Sequence, residues 1–172
     1  METLEKQKCP FCGKNALTLR EDTQDIPYFG KTFIMSMDCS NCKYSKSDLE
    51  AAEYKDPIKT TLTITEEKDM KIRIVKSSEA TIKLPSLRLS VTPGPASEGF
   101  ISNVEGVIKR FEDIIEKQRD TSEDKADKTK AKNLLKKLRK VMYGEIETKL
   151  VIEDPTGNSA IISEKAVVEK LK

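Results

Sequence analysis

The chain has 172 residues, of which 37% are apolar and 35% charged, a globular composition sized for one medium domain or a small module joined to a larger one. Histidine is absent, which removes every His-dependent triad, His general base and His metal ligand. With 31 basic and 29 acidic residues, net +2, the chain lacks the cationic excess of sequence-independent nucleic-acid binders, so any basic function must be local.

Met1-Glu2-Thr3-Leu4-Glu5-Lys6 has no apolar run behind it that would serve as a signal peptide, and no membrane-spanning stretch follows. The expectation is a cytoplasmic protein whose thiols stay reduced or bind metal. The four cysteines form two pairs, Cys9-Pro10-Phe11-Cys12 and Cys39-Ser40-Asn41-Cys42, separated by 26 residues. This pattern reads as a four-thiolate structural zinc site. Two cysteines three apart in a tight turn place both sulfurs on one metal, and two such knuckles complete a tetrahedron. Gly13 follows the first pair, where positive φ is often needed; Lys43 holds the equivalent place without that freedom. The alternatives are two disulfides, a thioredoxin-like redox pair or an iron–sulfur cluster. Redox motifs need a βαβ unit, and cluster spacings usually differ. Four cysteine ligands would leave no open position for catalysis.

Between the pairs, residues 16–20 and 31–37 read as strands, which makes this a zinc ribbon over about residues 1–50. The connection Asp25-Ile26-Pro27-Tyr28-Phe29-Gly30 is either a hydrophobic cap over the ribbon or an exposed docking tip. From 51 to 172 the pattern indicates an antiparallel β domain: residues 59–65, 70–75, 81–84 and 87–91 alternate with period two. Residues 92–99, with Pro93, Gly94 and Pro95, form a loop lacking the spacing and lysine of a phosphate loop.

Ser102-Asn103-Val104-Glu105 reads as a capping box opening a helix whose Val104, Val107, Ile108, Phe111, Ile114 and Ile115 share one face. After a polar turn at 120–124, a second helix places Ala131, Leu134, Leu135, Leu138, Val141 and Met142 together and stops at Gly144. The two predict a helical hairpin over about 102–143. Seven of the thirteen residues from Lys128 to Lys140 are Lys or Arg, with no acid. That run is either a solvated face or a patch attracting an acidic partner. Strand alternation returns at 145–153, a turn follows at 154–159, residues 160–162 resume, and Ser163 is expected to cap a short final helix ending at Lys172.

The chain resembles the ZPR-type zinc-finger proteins that bind translation elongation factor 1-alpha. The resemblance lies in Cys9-Pro10 with Cys12, in Ile26-Pro27-Tyr28-Phe29 with Phe33-Ile34-Met35-Ser36, and in Val75-Lys76-Ser77-Ser78-Glu79-Ala80-Thr81-Ile82 running into Leu84-Pro85-Ser86-Leu87. It continues through Pro93-Gly94, Ser102-Asn103-Val104-Glu105-Gly106-Val107 and Asp154-Pro155-Thr156-Gly157-Asn158-Ser159. It implies an α+β protein: a four-cysteine zinc ribbon, then a β domain related to the double-stranded β-helix with an inserted helical hairpin. It also implies a single-module form such as archaea carry, where eukaryotic members hold two modules in tandem.

The leading functional expectation is a non-enzymatic, chaperone-like module with one structural Zn²⁺ on Cys9, Cys12, Cys39 and Cys42. It would bind elongation factor 1-alpha and assist its folding or conformational state. Partner-binding candidates are Tyr28 and Phe29 in the ribbon tip and Lys136, Lys137, Arg139 and Lys140 on the basic helix. The alternative is an RNA-binding zinc ribbon using helix 128–140, without the aromatic interleaving that favours single strands. An enzyme ranks third, because the metal site such β domains use elsewhere cannot be built in its usual form without His.

Overall fold

A computed structural model describes residues 1–26 and 30–171. Its N-terminal sheet is an antiparallel meander in chain order: β1 (Glu2–Lys8), β2 (Asn15–Ile26), β3 (Gly30–Cys39) and β4 (Ser45–Ala51). The β2–β3 register pairs Leu17 with Cys39, so the long hairpin brings both cysteine pairs to one end. β1 and β4 leave no periodicity signal: β1 is exposed throughout, and β4 fully buries only Leu49. Each pairs through its backbone with an inner strand that carries the apolar side chains.

The second unit holds two antiparallel sheets. Strands β5 (Ile58–Ile64), β7 (Thr81–Leu84), β8 (Leu89–Val91), β10 (Thr148–Asp154) and β12 (Ala166–Lys170) stand in the order β12-β5-β10-β7-β8. Strands β6 (Arg73–Lys76), β9 (Phe100–Asn103) and β11 (Ala160–Ile162) form the smaller sheet β11-β6-β9. Between β9 and β10 the chain inserts helices α1 (Val104–Thr121) and α2 (Lys125–Met142). Sheets and hairpin share one core, in which Leu62, Ile74, Ile108, Leu138 and Ile152 are at most 1% exposed. Each such side chain contributes about 1.5–3 kcal/mol by leaving water.

Four local expectations are corrected. Met70 belongs to a 3₁₀ turn at Glu67–Lys71, so the strand predicted over 70–75 begins only at Arg73. The buried Asp69 carboxylate tightens that turn by accepting from the amides of Thr65 at 3.0 Å and Glu66 at 3.2 Å. Residues 85–87 likewise form a 3₁₀ turn, and Arg88 at φ 55° delays β8 to Leu89. Ser102 does not cap α1. It is still paired with Ile74 in the sheet, and Asn103 takes the cap, its Oδ1 accepting from the Gly106 amide at 2.8 Å. Glu105 instead pairs with Lys109 at 2.6 Å.

The fourth correction is the final helix, which is strand β12. β5 leaves one edge open beside β10, and Ala166-Val167-Val168 can satisfy it with β-branched residues in antiparallel register. Ser163 accepts from the Lys165 amide at 3.2 Å in the turn before this strand.

Ribbon and β domain meet through a small apolar cluster, with Leu49 and Val75 buried and Ile26, Ile34, Ala51 and Ile162 packed around them. Asp48 accepts from the Gly99 amide at 3.0 Å, and Lys46 pairs with Glu98 at 2.9 Å. A Cβ at position 99 would stand 2.1 Å from the Leu49 carbonyl oxygen, so only glycine permits this approach.

Candidate metal centre

Each cysteine pair sits on a turn built the same way. In the first, Cys9 N donates to Lys14 O at 2.9 Å and Gly13 N to Cys9 O at 2.9 Å. The second repeats it, with Cys39 N donating to Tyr44 O at 2.7 Å and Lys43 N to Cys39 O at 3.0 Å. Gly13 has φ 70°, and Lys43 adopts φ 61°, so the turn imposes the left-handed conformation whether or not glycine is present. A non-glycine residue there costs of order 1 kcal/mol, which metal binding must offset.

All four Sγ atoms lie within 4.8 Å of one another, and the cross-knuckle pairs Cys9–Cys42 and Cys12–Cys39 are each 3.7 Å apart. A zinc tetrahedron with bonds of about 2.3 Å has edges of about 3.8 Å, whereas a disulfide needs about 2.05 Å. The donor set therefore fits one structural Zn²⁺, and all four cysteines are free thiols.

The thiols differ before any metal acts on them. A hydrogen bond from the Lys14 backbone, with help from Cys9, Asn41 and Cys39, brings the Cys12 thiol down to about 6 against the opposing effect of burial. Cys39 is also lowered, first by the Cys42 backbone. The Tyr44 backbone favours the Cys42 thiolate, but burial and the neighbouring sulfurs outweigh it and push that thiol up to about 12. The last thiol ionises against charge already present, a cost that a dication reverses.

Around the sulfurs, Leu17 is buried beside Cys9 and Cys39, with Tyr44 packed against the cluster. Lys14 donates to Asn41 at 3.1 Å and ties the knuckles together. Phe11 lies over Tyr44 with ring centroids 4.4 Å apart, yet it is 75% exposed. Sequence reasoning passes over this residue because it treats the position between two ligands as a spacer. An aromatic there, where a polar residue would serve, is the available signal.

The partner-binding candidates fare unequally. Tyr28 and Phe29 lie outside the described residues. Lys136, Lys137, Arg139 and Lys140 are exposed on α2, on the side away from buried Leu135 and Leu138. Arg139 lies 3.9 Å from Glu112 and Lys140 3.7 Å from Glu145, so part of this charge is shared with acids.

A second polar centre lies away from the metal. Asp154 is 0% exposed, and its carboxylate accepts from Ser77 Oγ at 2.8 Å, Thr156 N at 2.8 Å, Thr156 Oγ1 at 2.7 Å, Asn158 N at 3.1 Å, Ser159 N at 2.7 Å and Ser159 Oγ at 2.5 Å. Burial alone would raise its pKa; these donors hold it below the usual carboxylate range. The turn at 154–159 is thereby fastened to the start of the β6–β7 connection.

A four-thiolate ribbon joined to a two-sheet β domain with an inserted helical hairpin defines a zinc-ribbon jelly-roll protein. Residues 1–56 match the family model described as the ZPR1 zinc-finger domain, and residues 68–171 the one described as the ZPR1 jelly-roll domain. The chain belongs to the ZPR1 family. It is 38% identical to a ZPR1-like protein of Methanocaldococcus jannaschii over 100% of this chain and 91% of that protein. A ZPR1-like protein of Pyrococcus horikoshii is also 38% identical, over 95% of this chain and 75% of that one. The zinc finger chaperone zpr1 of Schizosaccharomyces pombe is 28% identical over 89% of this chain and 33% of its own length. The chain thus matches the Methanocaldococcus jannaschii protein nearly end to end, three quarters of the Pyrococcus horikoshii protein and about a third of the longer Schizosaccharomyces pombe protein. Among the described residues no helix is long and apolar enough to cross a membrane.

Proposed function

We propose that the protein is a non-catalytic, chaperone-like binding module that engages translation elongation factor 1-alpha and assists its folding or conformational state. The observation that carries the reading is the closed four-thiolate centre, which can fix a surface but leaves no position for water or substrate. The name of the Schizosaccharomyces pombe relative, a zinc finger chaperone, supports a holding role, and the resemblance to elongation-factor-binding proteins supplies the partner. Holding one conformation of a client needs exposed groups with differential affinity, not an acid–base pair. Phe11 on the metal-fixed knuckles and the cationic side of α2 are surfaces of that kind.

The test is calorimetry of the zinc-loaded full chain with elongation factor 1-alpha from the same organism, together with the yield of that factor on refolding. Saturable binding and a raised refolding yield are expected. Absence of binding at tens of micromolar, or binding without any change in the factor's refolding or nucleotide uptake, overturns the respective half of the proposal. Tight binding of RNA with a steep salt slope, in place of the factor, would favour the nucleic-acid reading.

A further inference from the structure

A groove of about 560 Å³ opens where β4, the β8–β9 connection and α1 come together. Ile82, Val91, Val107 and Ile114 give it an apolar wall. Ile114 belongs to the apolar stripe of α1 yet is 41% exposed. The lining also carries the cations Lys76, Arg110 and Lys117.

Lys76 is 5% exposed. Its ammonium donates to Ser77 O at 2.8 Å and Ser97 Oγ at 3.5 Å. An ammonium has three donors, and among the described residues the third finds no hydrogen-bond acceptor. Among the described residues, neither Lys76 nor Arg110 has a carboxylate within 4.0 Å. Both are held on one aromatic platform, the Arg110 guanidinium 4.0 Å and the Lys76 Nζ 5.7 Å from the centre of the Phe100 ring.

Two of the nearby acids are committed elsewhere, while Glu79 and the lining Asp113 lie beyond ion-pair distance of Lys76. Asp154 is saturated by hydroxyl and amide donors, and Asp48 Oδ1 takes the amides of Leu49 and Gly99. Burial pulls the Lys76 ammonium below its usual range; the field of Asp154 opposes the pull and that of Arg110 adds to it. A buried cation without a paired anion is costly to keep, and a bound anion would remove that cost.

We infer that this groove docks an acidic, apolar peptide segment of a protein partner, with one carboxylate on Lys76 and Arg110 and the adjoining apolar side chain against Val91, Val107 and Ile114. The unused ammonium donor and the guanidinium fork match the two oxygens of a carboxylate. A phosphate fits worse. Phosphate sites gather free backbone amides, whereas here Ser97 N donates to Gly94 O at 2.9 Å and Gly99 N to Asp48 at 3.0 Å. Asp113 in the lining would also repel a second negative charge. The inference deepens the protein-binding reading but requires no particular factor.

The experiment titrates ¹⁵N-labelled, zinc-loaded full chain with acetyl-Leu-Glu-Leu-Leu-amide, with its Gln counterpart and with inorganic phosphate. Saturable shifts are expected at the amides of residues 97–100 and 110–114 with the Glu peptide. Binding should fall about tenfold or more with the Gln peptide and in Lys76→Met, and at least about threefold in Arg110→Gln. Lys76→Met should melt at or above the wild-type temperature, since it removes a buried charge at similar volume. Equal binding of the Glu and Gln peptides overturns the inference, as does phosphate binding the same amides more tightly than the peptide. A Lys76→Met chain that fails to fold, together with Arg110→Gln that binds the peptide unchanged, makes Lys76 a structural residue and also overturns it. Elongation factor 1-alpha is absent from this titration. If the peptide binds and the factor does not, the groove stands and the preceding proposal falls; if the factor binds and the peptide does not, the reverse holds.

Discussion

Cys39 is 2% exposed, lies 3.7 Å from Cys12, and ends a strand whose backbone is paired along its length. Replacing its sulfur by a hydroxyl leaves that strand intact but removes a thiolate, because serine stays protonated at neutral pH. Metal analysis of Cys39→Ser purified without added zinc should therefore give less than about half an equivalent, against about one for the wild type. Asp154 makes a contrasting prediction. Its folded-state pKa lies below the unfolded one, so its contribution is complete above about pH 4 and is lost as pH falls through the lower folded value. Asp154→Asn turns one acceptor into a donor among hydroxyls and amides that already donate, and should cost about 3 kcal/mol at neutral pH. Urea midpoints measured from pH 7 to 3 should show the wild type losing stability at the acid end and the variant changing less. The two residues also differ in how readable they are from sequence. Cysteine pairs announce themselves through local spacing, whereas Ser77, one of the donors to Asp154, is 77 positions away in the chain. The turn at 154–159 is legible from its Pro and Gly; what the buried carboxylate holds is not.

At the level of elements, the helices are the most legible part. The apolar stripe expected for α1 is buried at Val104, Val107, Ile108, Phe111 and Ile115, and that of α2 at Ala131, Leu135, Leu138 and Val141. A helix repeats its signal over several turns, so the pattern survives local irregularity. Besides β9, which occupies the stretch between the expected loop and the expected helix cap, the strands that escape reading are of two kinds. β1 and β4 are edge strands with charged, exposed sides, and β12 reads as helix from the sequence because Ser163 offers an N-cap. Each is decided by a neighbour with open backbone donors and acceptors, which is tertiary information. The legible stripe of α2 also predicts how its opposite side behaves. Lys136→Glu, Lys137→Glu and Lys140→Glu should each change stability by about 0.5 kcal/mol or less. Arg139→Glu faces Glu112 from 3.9 Å and should cost up to about 1 kcal/mol more. The fourfold variant should associate more slowly with an acidic partner and show a weaker salt dependence. Stopped-flow association at low and high salt measures both; unchanged rates at low salt would return this side of the helix to ordinary solvated charge.

The whole molecule is two units of unequal self-sufficiency. The jelly roll and hairpin share a continuous core that runs from Leu62 on β5 to Leu138 on α2. The ribbon's own cluster consists of Cys9, Leu17 and Cys39 with partly buried neighbours, so two of its three buried members are metal ligands. Metal binding is then a large share of what folds the ribbon. The remaining support is the junction, where Leu49 and Val75 are buried together and Asp48 holds the Gly99 amide. Chelation should accordingly release the two units in sequence. With zinc removed at neutral pH, amides of the knuckles and β1 should lose hydrogen-exchange protection first, while those of β5 and β10, paired over seven residues, stay protected. Gly99→Ala tests the junction separately. Its methyl group would press on the Leu49 carbonyl oxygen from 2.1 Å, so β4 must move away from the β8–β9 connection. That variant should keep its zinc, because no ligand lies in β4, and should lose protection along β4 and at the amide of residue 99. If chelation instead unprotects β5 and β10 together with the ribbon, the two units fold as one and the metal stabilises the whole chain. If Gly99→Ala keeps full protection along β4, the junction is looser than its packing implies, and the zinc knuckles alone hold the ribbon in shape.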